Sequence, residues 1–393
     1  MNNSKLRRSS LSASIALALG AFSIQPILAQ ETEAEVNEDE GFVEEVIVTG
    51  VRKSLIDSMD RKRSAIGVVD AITAEDFGDF PDTNLAEALQ RIPGVSIDRF
   101  NGEGSKITVR GLGPEFNLTL LNGRSMPNAG ERSFDFLDVA TEGVSAVEVY
   151  KTSRAGLPTG GIGATVNLLT SRPLNSPGHR GVITAKALHE TSVPSSSDLN
   201  KWTPEVSGLY SQTFADDTFG VLVSGSYSKR ENREEDAHVA QWFENRPIGD
   251  QATIINNSQR TDGRTWYPQD AGYGFADNER ERTNAQVALQ WAPTDTFTAT
   301  LDYTYAQTEF TKNSNGFGIW FLAGGSTVNG NINERGVFTQ VTEAGGDYAT
   351  GVGRDHTKKK LSSWGINLDW QATDSLTFNL DYHDSTSKSR GAG

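Results

Sequence analysis

From about residue 180 onward the chain alternates apolar and polar side chains over long runs. Ala285, Val287, Leu289 and Trp291 fall on one face, and Gln286, Ala288 and Gln290 on the other. Phe297, Ala299, Leu301, Tyr303 and Tyr305 keep the rhythm, as do Trp364, Ile366, Leu368 and Trp370, then Leu376, Phe378, Leu380 and Tyr382. Strict period-two alternation predicts strands with one apolar and one wet face. Such runs exceed the about 5–6 residues of a soluble sandwich strand and approach the about 9–11 of a tilted strand crossing a bilayer. Seven strands are expected, near 181–189, 204–214, 219–229, 282–292, 296–310, 361–371 and 375–387. One turn recurs three times, at Phe214–Phe219, Trp291–Phe297 and Trp370–Leu376: an aromatic, a short polar turn around Asp-Thr or Asp-Ser, then an apolar residue. Long loops, 231–280 and 313–359, alternate with these short turns. Short turns on one side, long loops on the other and aromatics at the edge describe a transmembrane β-barrel. An odd strand count does not close a single-chain bacterial barrel, so the barrel is expected to be incomplete in this chain.

Residues 65–174 carry a different pattern, that of a small α+β unit. Ile66–Ile72 reads as a strand and Thr73-Ala-Glu-Asp76 as a capped helix start. Asn84 caps a second helix whose Leu85, Ala88, Leu89 and Ile92 share a face, and Pro93-Gly94 ends it. Short strands follow at 95–99, 107–111, 117–121, 146–151 and 164–169, with Asn122-Gly123 as a hairpin turn.

The amino terminus has the layout of a secretory signal peptide: Lys5, Arg7 and Arg8, an uncharged stretch from Leu11 to Ile24, and a cleavage site near Ala29. Residues 30–64 form an acidic leader, with eight carboxylates between 30 and 45, then a basic stretch with Leu55, Ile56 and Met59 as anchors for a short helix. Within the leader, Glu45-Val-Ile-Val-Thr-Gly50 is an isolated β-prone strand suited to capture by another sheet's edge.

Composition narrows the function classes. The 393 residues hold 36 Lys and Arg against 51 Asp and Glu, a net charge of −15, and loss of the three basic signal residues leaves −18. So acidic a chain lacks the basic face a nucleic-acid partner needs. There is no cysteine, and the five histidines, at 179, 189, 238, 356 and 383, have no ligand spacing. Gly160, Gly161 and Gly163 are not followed by the Lys-Ser/Thr of a phosphate loop. No nucleophile elbow appears, so no enzyme, cofactor or metal is expected.

Several motifs resemble those of TonB-dependent receptors: Asp82-Thr-Asn-Leu-Ala-Glu-Ala-Leu-Gln-Arg-Ile-Pro-Gly-Val-Ser-Ile97, Ile107-Thr-Val-Arg-Gly111, Leu120-Leu-Asn-Gly-Arg124, Val147-Glu-Val-Tyr-Lys151 and Gly160–Leu168. Residues 51–126 are most similar to the proteobacterial subfamily associated with carbohydrate uptake. The resemblance implies a plug (65–174) followed by the opening strands of a barrel (175–393), large enough with its missing strands, on the order of 22, to enclose that plug. It implies an outer-membrane location in lipid and TonB as partner through Glu45, Val46, Ile47, Val48 and Thr49. It also implies Arg110 and Arg124 in plug–barrel ion pairs, and an extracellular small molecule or oligosaccharide as cargo. A siderophore or iron complex is the alternative cargo, and a passive porin or adhesin the remaining reading. In the long loops, Trp242, Phe243, Trp266, Tyr267, Trp320 and Phe321 are candidate substrate contacts, with loop packing as the competing role.

Overall fold

The computed structural model describes residues 49–74 and 84–391. Helix α1 (Thr49–Ser64) leads into β1 (Val69–Thr73), α2 (Leu85–Leu89), β2 (Val95–Phe100), β3 (Glu103–Val109), β4 (Asn117–Leu121), β5 (Arg124–Ser125), β6 (Val144–Tyr150) and β7 (Ala164–Thr170). Then come β8 (His179–His189), β9 (Trp202–Phe214) and β10 (Phe219–Ala240). The loop after β10 carries β11 (Phe243–Glu244), β12 (Thr253–Asn256) and β13 (Trp266–Tyr267). Next are β14 (Asp270–Thr294), β15 (Phe297–Trp320), β16 (Thr327–Ile332), β17 (Phe338–Glu343), β18 (Asp347–Thr373) and β19 (Leu376–Gly391).

The first unit is a five-stranded mixed sheet in the order β1-β6-β7-β4-β5, in which β4 and β7 are parallel. Its core gathers Leu85 and Leu89 of α2, Ile107 and Val109 of β3, Val147 and Val149 of β6, and Val166 and Leu168 of β7. Asn84 does cap α2, accepting from the Ala86 amide at 2.8 Å. Thr73 closes β1, and its hydroxyl donates to the Ser54 carbonyl at 2.8 Å. The helix expected from Glu75 lies outside the described residues.

Glu45, Val46, Ile47 and Val48 also lie outside them, whereas Thr49 and Gly50 open α1 and do not end a strand. This helix docks through its polar side. Ser54 and Ser58 meet Thr73, Arg61 meets Glu148 at 2.8 Å, and Lys62 meets Asp70 at 2.6 Å. Burial works against the Asp70 charge, but Lys151 and Lys62 outweigh it and hold this carboxyl below its usual range. Leu55, Ile56 and Met59, expected as anchors, are exposed. Paired hydroxyls and ions hold α1, so its apolar residues are left over.

The second unit is a seven-stranded antiparallel sheet in the order β8-β9-β10-β14-β15-β18-β19. Its inner face packs on the first unit, and the plug core runs on into Ala306 and Leu361 of this wall. Serine, glutamine and threonine dominate the rest of that face, including Ser211, Ser224, Gln286, Gln290 and Thr300, all buried. The outer face carries the alternating apolar set, with Trp291, Leu301, Trp370 and Phe378 exposed, as a lipid-facing wall requires. At the tight turn before β10, Ala215, Asp216 and Asp217 all take positive φ. The strands run much further than the apolar alternation: β14, β15 and β18 have 25, 24 and 27 residues and extend through segments read as loops. Beyond the lipid both faces are wet, so pairing continues where the pattern stops.

Candidate functional site

The plug is fastened to the wall at the β4–β5 hairpin. Asn122 and Gly123 take φ of 53° and 84°, the two left-handed positions of a type I′ turn. The Asn122 amide is tied to Thr170, accepting from its backbone N–H at 2.9 Å, which fixes the turn against β7. Arg124, the next residue but one, is thereby aimed at the wall. Its Nη1 donates to both Asp302 oxygens at 2.7 and 2.8 Å, while Nε and Nη2 each donate to Asp381 at 2.8 Å. Asn367 donates to the same Asp381 at 3.2 Å. The Arg124 and Asp302 side chains are 3% and 4% exposed, so this is a buried, forked ion triad. Gly365 makes room for it: a Cβ there would collide with the guanidinium.

Arg110, expected to pair with the wall, does not. Its backbone is left-handed, φ 54°, and its Nη2 donates to the Gly163 carbonyl at 2.7 Å inside the plug. Among the described residues it forms no ion pair.

Higher along the wall a cavity of about 350 Å³ opens between plug and strands. The β2–β3 hairpin supplies Phe100, Asn101 and Glu103; the segment before β6 supplies Glu131, Asp135 and Asp138; the wall supplies Arg230, Arg280, Phe310 and Lys359. Arg280 grips Glu103 through two bonds of 2.8 and 2.9 Å, and the rings of Phe100 and Phe310 lie 5.3 Å apart. Lys359 donates to Asp135 at 2.9 Å and lies 3.6 Å from Asp138. Burial, then the neighbouring Asp135 carboxylate, pushes the Asp138 carboxyl up to about 6, with Lys359 and Thr308 offsetting only part. The lining is thus polar and of mixed charge, with two aromatic rings at one side.

None of the six loop aromatics lines this cavity. Tyr267 is 0% exposed: with Ala323, Ile332 and Phe338 it forms the core of a small domain knitted from two loops, in which β12 pairs with β16 and β16 with β17. Its hydroxyl donates to Glu343 at 2.6 Å, and Glu343 also accepts from the Leu322 and Ala323 amides. Phe321 packs against the same core. Both are loop-packing residues, because a large aromatic surface in a solvated loop is best buried against its own kind. Trp266 pairs opposite Glu244 beside them. Trp242, Phe243 and Trp320 remain exposed, Phe243 beneath the Arg246 guanidinium at 5.4 Å. Tyr267→Phe should loosen this domain by about 1 kcal/mol, since it strips the half-buried Glu343 carboxylate of one donor. Faster trypsin cleavage within 241–269 and 321–346 measures it.

Arg280, which lines this vestibule between plug and wall, is signalled by its place in the strand pattern. Glu279-Arg-Glu-Arg282 continues the parity of Ala285–Trp291, which turns both glutamates to the outside and both arginines toward the plug.

A mixed-sheet domain packed against long antiparallel strands is the arrangement of a plug beside part of a barrel wall. Residues 61–165 match the family model for the TonB-dependent receptor plug domain, and the long antiparallel strands follow that match. Over 210 residues it is 29% identical to the ferric enterobactin receptor PirA of Pseudomonas aeruginosa, covering 49% of this chain and 27% of that protein. Over 111 residues it is 28% identical to the vitamin B12 transporter BtuB of Photobacterium profundum, covering 28% and 18%. These alignments span about a quarter or less of either relative. Among solved structures, BauA, the ferric preacinetobactin receptor of Acinetobacter baumannii, aligns over 84% of this chain and 48% of its own at 16% identity, with a TM-score of 0.40.

Proposed function

We propose that the protein is a TonB-dependent receptor of the Gram-negative outer membrane that imports, with energy, a cargo too large or too scarce for passive pores. The plug clamped by Arg124 carries the reading, since a passive porin or adhesin has no use for a stopper held by buried ion pairs. In this reading TonB pairs with Glu45–Val48, ahead of α1, by strand addition and pulls on the plug. The cargo reading moves away from the carbohydrate expected from residues 51–126. The two relatives above are named for a ferric siderophore and for vitamin B12, and the polar, mixed-charge lining of the vestibule suits the polar edge of such a chelate.

The test is deletion of Glu45–Val48 in the full-length protein, with uptake of a panel of labelled ferric siderophores, cobalamin and maltooligosaccharides followed in energised cells. Uptake of one of the chelates should fall to the background of uncoupled cells, with surface expression unchanged. Uptake that persists would end the transporter reading. A response confined to the oligosaccharides would return the cargo to sugars.

A further inference from the structure

The outer face of the wall has a charge pattern that import through the lumen does not use. Phe297, Trp370 and Phe378 stand opposite one another in register and form the lower aromatic row. Tyr305 closes the apolar band above, roughly 20 Å higher at about 3.3 Å per residue and a tilt of about 40°. The next two rows outward are Gln307, Lys360 and Lys388, then Glu309, Lys358 and Arg390. Four cations therefore stand in a square one step beyond the apolar band, where lipid headgroups lie. Their side chains alone line a hollow of about 320 Å³.

Only Lys358 has a carboxylate partner, Glu309. Lys360, Lys388 and Arg390 form no ion pair among the described residues. The other outward carboxylate on these strands, Asp384, stands opposite Trp364, two rows below. Like charges directly opposite on neighbouring strands destabilise a sheet, and Lys360 faces Lys388 as Lys358 faces Arg390. A multivalent anion between them would relieve that repulsion. Elsewhere at this height the cation is paired: Lys229 on β10 meets Glu231, Glu279 and Glu281.

We propose that Lys358, Lys360, Lys388 and Arg390 bind the phosphates of an outer-leaflet glycolipid, a diphosphorylated glucosamine lipid of the lipid A type. Phosphate oxygens accept charge-assisted bonds from several cations at once, and basic clusters at a membrane rim gain further from the anionic surface. The acyl chains of such a lipid would lie against Leu368, Ile366, Leu380 and Tyr382, which are outward on the same strands. The proposal rests on the outer-membrane reading above.

The full-length protein, extracted in mild detergent, is delipidated and titrated with the diphosphorylated glycolipid and with the same lipid after phosphatase treatment, bound lipid being counted by native mass spectrometry. The wild type should retain roughly tenfold more of the phosphorylated form. Lys360→Glu with Lys388→Glu should abolish that preference, Lys360→Arg with Lys388→Arg should keep it, and excess inorganic phosphate should not displace the lipid. Equal retention of both lipids by the wild type overturns the proposal, even where the charge-reversed variant fails to fold. Barrel integrity is scored separately by heat-modifiable gel mobility of the outer-membrane fraction. A wild type absent from that fraction takes down the outer-membrane reading and this site together, whereas intact barrels without lipid preference take down only the site.

Discussion

Replacing Arg124 with alanine should cost about 3–5 kcal/mol of plug–wall stability, the usual penalty for removing one member of a buried ion pair. The damage comes from what is left behind. Asp302 stays buried at 4% side-chain exposure with its bidentate donor gone, and Asp381 keeps Asn367 and, at 3.7 Å, His383. Either the carboxylates take up protons or water enters between plug and wall. The full-length variant should therefore admit large antibiotics that the wild type excludes, and its plug should melt before the barrel in calorimetry. Arg110→Ala is the internal control, since its partner is a plug carbonyl and the wall is untouched. Gly365→Val should reproduce the leak from the opposite side by denying the guanidinium its place. A plug that holds as tightly in Arg124→Ala as in the wild type would refute the clamp.

Acidification should strengthen the plug–wall contact around Asp138. Its folded value of about 6 lies above the ordinary 3.8, so the folded protein holds that proton more tightly than the unfolded chain. Stability from this group is complete below about pH 4 and is lost as pH rises through about 6, in total roughly 3 kcal/mol. Between pH 7.5 and pH 5 the change is about 1–1.5 kcal/mol. The charged groups facing it are Asp135 on the plug and Lys359 on β18, so the proton relieves a repulsion that one lysine cannot neutralise alone. Asp138→Asn should flatten the pH dependence of plug melting over that range. A slope unchanged in the variant would assign it to other carboxylates.

The lower half of the wall was legible because lipid enforces alternation: Ala285–Trp291 and Phe297–Tyr305 must present apolar side chains outward or fail to insert. Above the bilayer that pressure is absent. Lys229–Glu235 and Asn278–Arg282 are polar on both faces, so strands continuing to Ala240 and back to Asp270 read as loop. In the plug, local chemistry sufficed where one residue decides the geometry, as with Asn84 at its cap and Asn122-Gly123 at its turn. Arg110 and Arg124 sit in similar motifs, and only the left-handed backbone at Arg110 sends its side chain inward. Tyr267 shows the complementary limit. An aromatic in a polar loop has the same local sequence whether it meets a ligand or a core, and the β12–β16 pairing that buries it joins residues over seventy positions apart. The vestibule was hidden for the same reason, its lining drawn from the plug apex and five wall strands.

The strand order of the plug has a mechanical consequence. β1 forms one edge of the sheet, joined to α1 and zipped to β6 over five residue pairs; β5, with the Arg124 clamp, forms the other edge. Tension entering through the segment before α1 would load the Ser54 and Ser58 contacts with Thr73 first, then the Arg61–Glu148 and Lys62–Asp70 pairs, and then peel β1 one pair at a time. β6, β7 and β4 stand between that peeling edge and the clamp. The weak seam and the strong seam lie on opposite margins of one sheet, so the plug can yield at its leading edge while its trailing edge stays moored to the wall.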